Sequence, residues 1–226
     1  VVVAYRILPR DIIKIPIYGS VNLHVSLLPK YRGAAPIQWA LMNGEKNTGV
    51  TIFQISEKVD TGDILAQKKF PIFEDDNMLS LGTRLCNLGA DIIIDTIDKI
   101  EDGSIKKVKQ NQKTITFAPK ITKEMRYINW SWPSNKIHNW VRGLSPHPSM
   151  YTTFNGKIIK VFKTFVANGP KCTPGVVFQI NNDSILVGTG NGLLGLVEIQ
   201  LEGKKKLFIK DFLKGNPIGK NSVFGK

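Results

Sequence analysis

The sequence predicts an α/β domain followed by a small β-barrel, and three patterns indicate this fold class. Residues 1–120 alternate between short apolar strands and helices, and they include one long amphipathic helix. After residue 128, short β-rich runs recur, separated by glycine and asparagine turns. Positive charge is concentrated in the second part, where residues 121–226 carry 15 Lys and Arg against 5 Asp and Glu, compared with 16 against 13 before them. We therefore predict two domains of different composition.

Length and composition exclude several classes of protein. A chain of 226 residues that is 42% hydrophobic can bury a core, which excludes a disulfide-stapled miniprotein and a disordered tail. No apolar run approaches the roughly 18 to 20 residues that span a bilayer, and the N-terminus lacks a signal-peptide pattern. Cys86 and Cys172 are too few for a zinc site of four thiolates. We expect a cytoplasmic protein that does not contact a membrane.

The first residues predict a strand that continues an earlier part of the fold. Val1, Val2, Val3 and Ala4 form an apolar run, and no initiator Met or helix cap precedes it. A parallel strand that is buried on both faces needs neighbouring strands. We therefore expect β/α units before this point, so that the α/β domain in this sequence is incomplete at its N-terminus.

One long helix is predicted near the end of the first domain. Its apolar residues recur every three or four positions, at Met78, Leu81, Leu85, Leu88 and Ile92. Cys86 lies within this helix, and we expect it in the core. Turn residues then accumulate, which predicts a linker over 117–127 between a first domain at 1–116 and a second domain at 128–226.

The second domain is predicted to contain a short helix over 134–142 and then β-rich segments. These segments cover 151–154, 157–165, 175–180, 184–188 and 193–201. Excess lysine on a small barrel suits a phosphate backbone, because each lysine–phosphate contact releases counterions. Surface lysines can also serve solubility alone, and charge does not decide between the two interpretations.

Polar residues at the ends of two strands indicate a candidate active site. Asn22 and His24 alternate with apolar residues, so they point to the same face of a strand. Asp63 belongs to an Asp-Thr-Gly-Asp turn after the strand at 50–55, where the glycine permits a tight turn that aims a carboxylate inward. Strand ends are the usual place for an α/β active site. The alternative is a set of hydrogen-bonded polar groups in the core.

Two long segments resemble the catalytic signature of the folate-dependent formyltransferases. They are NLHVSLLPKYRGAAPIQWALMNGE at 22–45 and TGVTIFQISEKVDTGDIL at 48–65. In the second half, the short motifs INW, LSPHP, NGK, TPG and FLKG resemble the C-terminal domain of the family members that act on tRNA. The resemblance covers essentially the whole chain. It implies a Rossmann-like formyltransferase domain, N-terminally incomplete, followed by an OB-like β-barrel.

The resemblance also implies a reaction, in which a formyl group passes from 10-formyltetrahydrofolate to the amino group of methionyl initiator tRNA. Attack by the amine creates an oxyanion and a cationic nitrogen that must lose a proton. Asn22 would donate hydrogen bonds, and His24 would donate to the oxyanion or offset its charge. Asp63 would orient His24 and assist proton removal through water. No metal is needed, a monomer is expected, and the sequence leaves the protonation state of His24 open.

The same resemblance assigns binding residues. Folate contacts are expected from two segments that follow strands and from the turn before Asp63: Arg6, Ile7, Leu8, Ser26, Leu27, Leu28, Pro29, Val59 and Asp60. Contacts with tRNA are expected from basic residues in both domains: Lys30, Arg32, Lys157, Lys160, Lys163, Lys204, Lys205 and Lys206. Strand alternation places Lys157 on the face opposite Lys160, and the last three lysines are predicted at a loop tip. The Arg6-Ile7-Leu8 segment resembles the glycinamide ribonucleotide branch of the family more closely.

Two other functions stay possible from the sequence. The chain could be a folate-dependent formyltransferase that acts on an amino sugar nucleotide or on glycinamide ribonucleotide, because those enzymes share the Asn-His-Asp set. It could also be a non-catalytic RNA-binding module with a decayed transferase domain. The basic second domain favours tRNA over a small metabolite, and intact Asn22, His24 and Asp63 argue against decay.

Overall fold

The computed structural model describes residues 1–2 and 8–225. The described chain forms two compact units, one of residues 1–40 and 45–120 and one of residues 41–44 and 121–226. The short excursion at 41–44 was not predicted from the sequence. The linker at 117–127 and the domain bounds on either side of it stay predictions. Among the described residues, no helix has both the length and the apolar character that crossing a membrane requires.

The first unit contains a three-stranded antiparallel sheet. Its strands are β1 (Val21–His24), β2 (Asn47–Gln54) and β3 (Ile64–Pro71), in the order β1-β2-β3. Two short helices, α1 (Arg10–Lys14) and α2 (Pro36–Met42), lie before and after β1 in the chain. The sequence analysis did not predict β3. Its middle residues are polar and exposed, so it lacks an apolar pattern, and its pairing with β2 makes it a strand.

The long helix is confirmed as α3 (Met78–Glu101). Leu81 and Leu85 are fully buried, as their spacing predicts. The helix begins with a capping box, in which the Asn77 side chain accepts hydrogen bonds from two backbone N–H groups of the first turn. The prediction that Cys86 lies in the core is wrong, because Cys86 is exposed. It directly follows Leu85, and consecutive helical residues differ by about 100° in direction.

The second unit is rich in β-structure, as predicted. After α4 (Ser134–Leu144), the strands are β4 (Met150–Phe154), β5 (Lys157–Ala167), β6 (Val177–Ile180), β7 (Ile185–Gly188), β8 (Leu193–Leu201) and β9 (Lys206–Phe208). They form an antiparallel sheet in the order β4-β5-β8-β7-β6, and β9 pairs with β8. Helix α5 (Ile209–Gly215) follows. Neither β9 nor α5 was predicted, and Lys206 therefore lies in a strand rather than at the predicted loop tip.

His138 on α4 is held by the fold of the second unit. Its Nδ1 lies 2.9 Å from Thr164 Oγ1. Burial, together with the positive charge of Arg142, lowers the pKa of His138 to about 4. The unfolded chain has an ordinary histidine pKa near 6.5 at this position. Between these values the unfolded state binds a proton that the folded state does not bind.

We therefore expect the protein to lose stability as the pH falls from about 6.5 to 4. One group with this shift contributes about 2 to 3 kcal/mol over that range, and the contribution is fully present above pH 6.5. His138→Gln should flatten the dependence when the free energy of unfolding is measured by urea denaturation at several pH values. His147→Gln changes an exposed histidine and serves as the control. An unchanged slope in His138→Gln would contradict the expectation.

Candidate active site

Strand β1 places Asn22 and His24 on one face, and both side chains are buried. This is the arrangement that the alternation predicts. The strand register sets Asn22 opposite Phe53 and His24 opposite Thr51 on β2. The Phe53 ring also meets the imidazole of His24 edge-on, with 6.5 Å between ring centroids. The neighbouring strand therefore limits the orientations that the imidazole can adopt.

The contacts of His24 define its protonation. Nε2 lies 2.9 Å from the backbone oxygen of Tyr31. Because a carbonyl oxygen only accepts hydrogen bonds, Nε2 carries the proton. Burial lowers the pKa of His24 below its usual value, by more than the Asp60 carboxylate and the Tyr31 carbonyl raise it. The ring is therefore neutral near pH 7, with Nδ1 as the nitrogen that can accept a proton.

The carboxylate that faces His24 belongs to Asp60 and not to Asp63, so this part of the sequence prediction is wrong. Asp60 Oδ2 is 3.7 Å from His24 Nδ1, and both side chains are buried. Asp63 instead resumes strand pairing, and its backbone oxygen accepts a hydrogen bond from Gln54 N. It directly precedes β3, which β2 separates from β1. Two interstrand spacings amount to roughly 10 Å, which puts Asp63 out of reach of His24.

The backbone of the turn between β2 and β3 aims Asp60 at His24. Asp60 has a φ of 53°, in the left-handed region that aspartate tolerates better than most residues. Its Oδ2 accepts a hydrogen bond of 2.8 Å from Gly33 N. Gly62 then passes so close to β2 that an added Cβ would lie 1.6 Å from Gln54 O. The turn can therefore be tight only because residue 62 has no side chain.

Asn22 presents an acceptor that the rest of the described chain does not use. Its Oδ1 is buried and has no hydrogen-bond partner among residues 1–2 and 8–225. Leaving such an oxygen unpaired costs about 1 to 3 kcal/mol. A ligand N–H group beside this amide would supply the missing hydrogen bond.

Arg32 was predicted to contact tRNA, and the structure contradicts this. Its side chain is buried, with 6% exposure. Nε and Nη2 donate hydrogen bonds of 3.1 and 2.6 Å to Gln110 Oε1. The guanidinium also interacts electrostatically with Asp60. Lys30, two residues earlier, is exposed, and its contact with tRNA stays a prediction.

The sequence analysis missed Gln110. This residue follows a single antiparallel bridge between Val108 and Ile64, and no motif or periodicity surrounds it. Its amide nitrogen donates hydrogen bonds to the backbone oxygens of Asp60 and Gly62. Only the folded chain brings it against the turn, because it lies about 50 residues further along the sequence.

The segment after β1 forms a turn with its own hydrogen bonds. Ser26 Oγ donates 2.6 Å to Lys30 O, and Leu28 N donates to Thr51 Oγ1. Ser26 and Leu28 are buried, whereas Leu27 and Pro29 are half-buried. Contact of these four residues with folate stays a prediction.

A cavity of about 530 Å³ lies between α1 and the segment that leads to Asp60. Its lining contains three basic side chains and Thr61, which follows Asp60. The lining residues are Arg10, Ile13, Lys14, Ser56, Glu57, Lys58 and Thr61. Two further predicted folate residues flank these segments: Leu8, which is half-buried, and Val59, which is 51% exposed. Arg6 and Ile7, also predicted for folate, lie outside the described residues. Within the described ranges, no group of three or more His, Cys, Asp or Glu side chains could hold a metal ion.

The predicted lysines of the second unit are all exposed. They are Lys157, Lys160, Lys163, Lys204, Lys205 and Lys206. A bulge in β5 shifts its register between Val161 and Thr164, so simple alternation does not continue along the strand. Val161 and Thr164 are both buried, which leaves Lys160 and Lys163 exposed on the outer face.

A row of side chains crosses four strands of the second unit. Lys160 pairs with Tyr151 on one side and with Gln200 on the other, and Gln200 pairs with Lys206. Lys206 forms an ion pair of 3.1 Å with Glu198. We call the set Tyr151, Lys160, Gln200 and Lys206 the cross-strand row.

Comparison with known families gives matches over both units. Residues 1–97 match the family described as "Formyl transferase", and residues 120–217 match "Formyl transferase, C-terminal domain". A methionyl-tRNA formyltransferase of Thermodesulfovibrio yellowstonii is 48% identical over 96% of this chain and 70% of its own length. A protein of the same name from Caldanaerobacter subterraneus is 43% identical over 99% of this chain and 72% of its own length.

A similar solved structure is that of WlaRD, described as a sugar 3N-formyl transferase in the presence of dTDP and 5-N-formyl-THF. Its TM-score is 0.66 and its sequence is 26% identical, over 82% of this chain and 66% of that one. The proteins similar to this chain therefore include two named for a tRNA acceptor and one named for a sugar acceptor.

Proposed function

The chain belongs to the formyl transferase family, and from this premise we propose that it transfers the formyl group of 10-formyltetrahydrofolate to the amino group of methionyl initiator tRNA. The observation that carries the reaction is the buried cluster of Asn22, His24 and Asp60 at one face of β1. The tRNA acceptor is supported by the two relatives named methionyl-tRNA formyltransferase, which are 43 and 48% identical across both units.

In this proposal, Asn22 orients the attacking amine and His24 removes its proton. The unpaired Oδ1 of Asn22 accepts a hydrogen bond from an amine N–H and holds the nitrogen lone pair toward the formyl carbon. The amide N–H groups of Asn22 can donate to the oxygen that becomes negative. The amine nitrogen becomes cationic as its new C–N bond forms, and His24 Nδ1 takes up the proton that it must lose. The bond between the formyl carbon and N10 of the folate would break as the new amide forms, and the imidazolium would return the proton to N10.

Asp60 stabilises the proton that His24 receives. Its Oδ2 faces Nδ1, so the imidazolium that forms is next to a negative charge. Because burial keeps the ring neutral at rest, His24 begins each turnover as a base. Asp60 raises the proton affinity of His24 without itself touching the substrate, which makes it a positioning and charge-stabilising residue.

The cavity beside Asp60 fits a folate donor. 10-Formyltetrahydrofolate supplies a formyl carbon that is activated for transfer to an amine. A volume of about 530 Å³ is within the usual range for a small-molecule site. Lys14 and Lys58 in its lining suit the carboxylates of the folate glutamate, whereas Arg10 is paired with Glu57 at 2.8 Å. Leu8 with Val59 would line the way from the cavity to Asp60.

The second unit is proposed to hold the tRNA. Its excess of positive charge suits a phosphate backbone. The cross-strand row combines lysines with an aromatic ring, and Arg126 lies 5.7 Å from the centre of that ring. Aromatic faces among cations are typical of surfaces that bind unpaired nucleotides. Lys163 extends the positive surface along β5.

Replacing both Lys160 and Lys163 with Gln is expected to raise the KM for tRNA severalfold with little change in kcat. Such a pattern means that binding is lost equally in the ground state and the transition state. The dependence of log affinity on log salt should flatten by about 0.9 for each phosphate contact removed. The double variant Lys210→Gln, Lys214→Gln removes the same charge from α5 and is the control. Equal effects in both variants would mean that net charge, rather than this surface, holds the tRNA.

The proposed function is tested by comparing acceptors. We expect formyl transfer to methionyl initiator tRNA to have the highest kcat/KM, well above transfer to an amino sugar nucleotide or to glycinamide ribonucleotide. A higher value for either small acceptor would replace tRNA as the substrate. Tight tRNA binding with no transfer to any of the three would indicate an RNA-binding module.

A further inference from the structure

We propose that Gln110 is a positioning residue that, together with Arg32, fixes the Asp60 carboxylate at its place beside His24. The proposal rests on the proposed formyl transfer. Gln110 is 5% exposed and lies outside both segments that resemble the catalytic signature. It acts through Asp60, since its hydrogen bonds go to Arg32 and to the turn between β2 and β3.

The amide of Gln110 makes four hydrogen bonds, which use both of its donors and its oxygen. Oε1 accepts from Arg32 Nε at 3.1 Å and from Nη2 at 2.6 Å. Nε2 donates to Asp60 O at 2.9 Å and to Gly62 O at 2.8 Å. A guanidinium only donates and a carbonyl only accepts, so the orientation of the amide is unambiguous. Of the residues with this side-chain length, only glutamine can serve both groups.

The two backbone oxygens that Gln110 binds flank the turn that aims the carboxylate. Asp60 adopts a left-handed backbone conformation, which a non-glycine residue keeps only where its surroundings impose it. Hydrogen bonds to the oxygens of residues 60 and 62 hold the chain on both sides of Thr61. Without them, the strained φ of Asp60 can relax, and its side chain then turns away from His24.

Arg32 connects the Gln110 amide to Gly33, whose N–H is the second group that holds the Asp60 carboxylate. Gly33 N, which donates to Asp60 Oδ2, directly follows Arg32 in the chain. The backbone of Arg32 is itself fixed, since its N–H donates to Thr116 O and its oxygen accepts from Ala118 N. Gln110 therefore connects Arg32, which precedes the donor Gly33, with the turn that carries the acceptor Asp60.

The position of Asp60 can be read from the imidazole of His24. Among the described residues, Asp60 is the charged group that faces His24, and Arg32 is the charge that faces Asp60. The chain has three histidines, so nitrogen-15 spectra of labelled protein contain three imidazoles, and the signals of His24 can be assigned with a His24→Gln variant. Moving Asp60 away removes a negative charge near Nδ1 and must lower the pKa of His24.

We expect Gln110→Met to lower kcat for formyl transfer about 10- to 100-fold, with the KM for tRNA changed less than twofold. The pKa of His24 should fall in the same variant. Gln110→Glu keeps the volume and the acceptor for Arg32 but replaces Nε2 with an oxygen that faces the carbonyls of Asp60 and Gly62, so its loss of kcat should be at least as large. Arg32→Lys keeps the charge but loses the two-pronged contact, and it tests the proposal if the Gln110 variants fold poorly.

The control is Thr152→Val, which removes a buried hydrogen bond from Trp130 in the second unit. It should change neither kcat nor the pKa of His24, and thermal unfolding of each variant reports whether its first unit is folded. A folded Gln110 or Arg32 variant with wild-type kcat, or with an unchanged His24 pKa, would overturn the proposal. The titration of His24 needs no substrate. If the wild-type protein does not formylate tRNA, the proposed function fails while the effect of Gln110 on Asp60 is still decided.

Discussion

Asp60→Asn is expected to lower kcat about 10²- to 10³-fold, while Asp63→Asn leaves kcat within about twofold of the wild type. Asparagine keeps the size of Asp60 and can still accept the hydrogen bond from Gly33 N. It removes only the negative charge beside His24 Nδ1, so the loss would measure the stabilisation of the imidazolium. Asp63→Asn makes the same change three residues away, at the start of the β3 pairing.

Asn22→Ala and His24→Ala are expected to cause losses of the same order, because each removes a group that contacts the reacting amine. Thermal unfolding of all four variants should be compared first, so that the loss of catalysis is separated from the loss of fold. A larger loss in Asp63→Asn than in Asp60→Asn would restore the assignment that the sequence suggested. Wild-type turnover in both Asn22→Ala and His24→Ala would remove the proposed centre.

The same centre predicts a pH dependence. His24 must be neutral to accept a proton, so kcat/KM should be high above the pKa of His24 and fall as the pH drops through it. Because burial lowers that pKa, the midpoint of the acid limb lies below 6.5. Asp60 raises the pKa of His24, so Asp60→Asn should shift the midpoint to still lower pH. A kcat/KM that instead falls as the pH rises through the pKa of His24 would mean that the ring works as an imidazolium.

Gly62→Ala is expected to be the most destabilising of these substitutions, with a loss of at least about 3 kcal/mol. The added Cβ would lie 1.6 Å from Gln54 O, a backbone atom of a residue that pairs with Val21 on β1 and whose N–H donates to Asp63 O. The free energy of unfolding of the first unit can be measured by urea denaturation. Any folded fraction should have low activity, since the turn that carries Asp60 must shift.

Gly82→Ala is the matched control for this prediction. Its added Cβ would lie 3.5 Å from Ile37 Cδ1, which is an ordinary van der Waals contact. Alanine also favours a helix over glycine by up to about 1 kcal/mol, so Gly82→Ala within α3 should be neutral or stabilising. Similar stability in the two variants would show that the turn at Gly62 is wider than the structure indicates.

Features that depend on local periodicity were predictable from the sequence alone. Alternation along β1 puts Asn22 and His24 on one face, because neighbouring side chains of a strand point in opposite directions. The spacing of Leu81 and Leu85 determined α3 in the same way. The β-rich second half followed from short apolar runs between turn residues, and the two motif segments indicated the family, because together they are long and specific.

Which charged groups meet depends on the folded chain. Asp60 and Asp63 are three residues apart in one turn, and the left-handed φ of Asp60 together with the intervening strand β2 selects Asp60 as the partner of His24. The sequence suggests that Arg32 is an exposed cation of a loop. In the fold its side chain is buried, and Gln110 accepts two of its hydrogen bonds. These contacts join residues that lie far apart in the sequence, or residues whose side-chain orientation the sequence does not predict. No local pattern encodes them, because their energies exist only once the chain has brought the groups together.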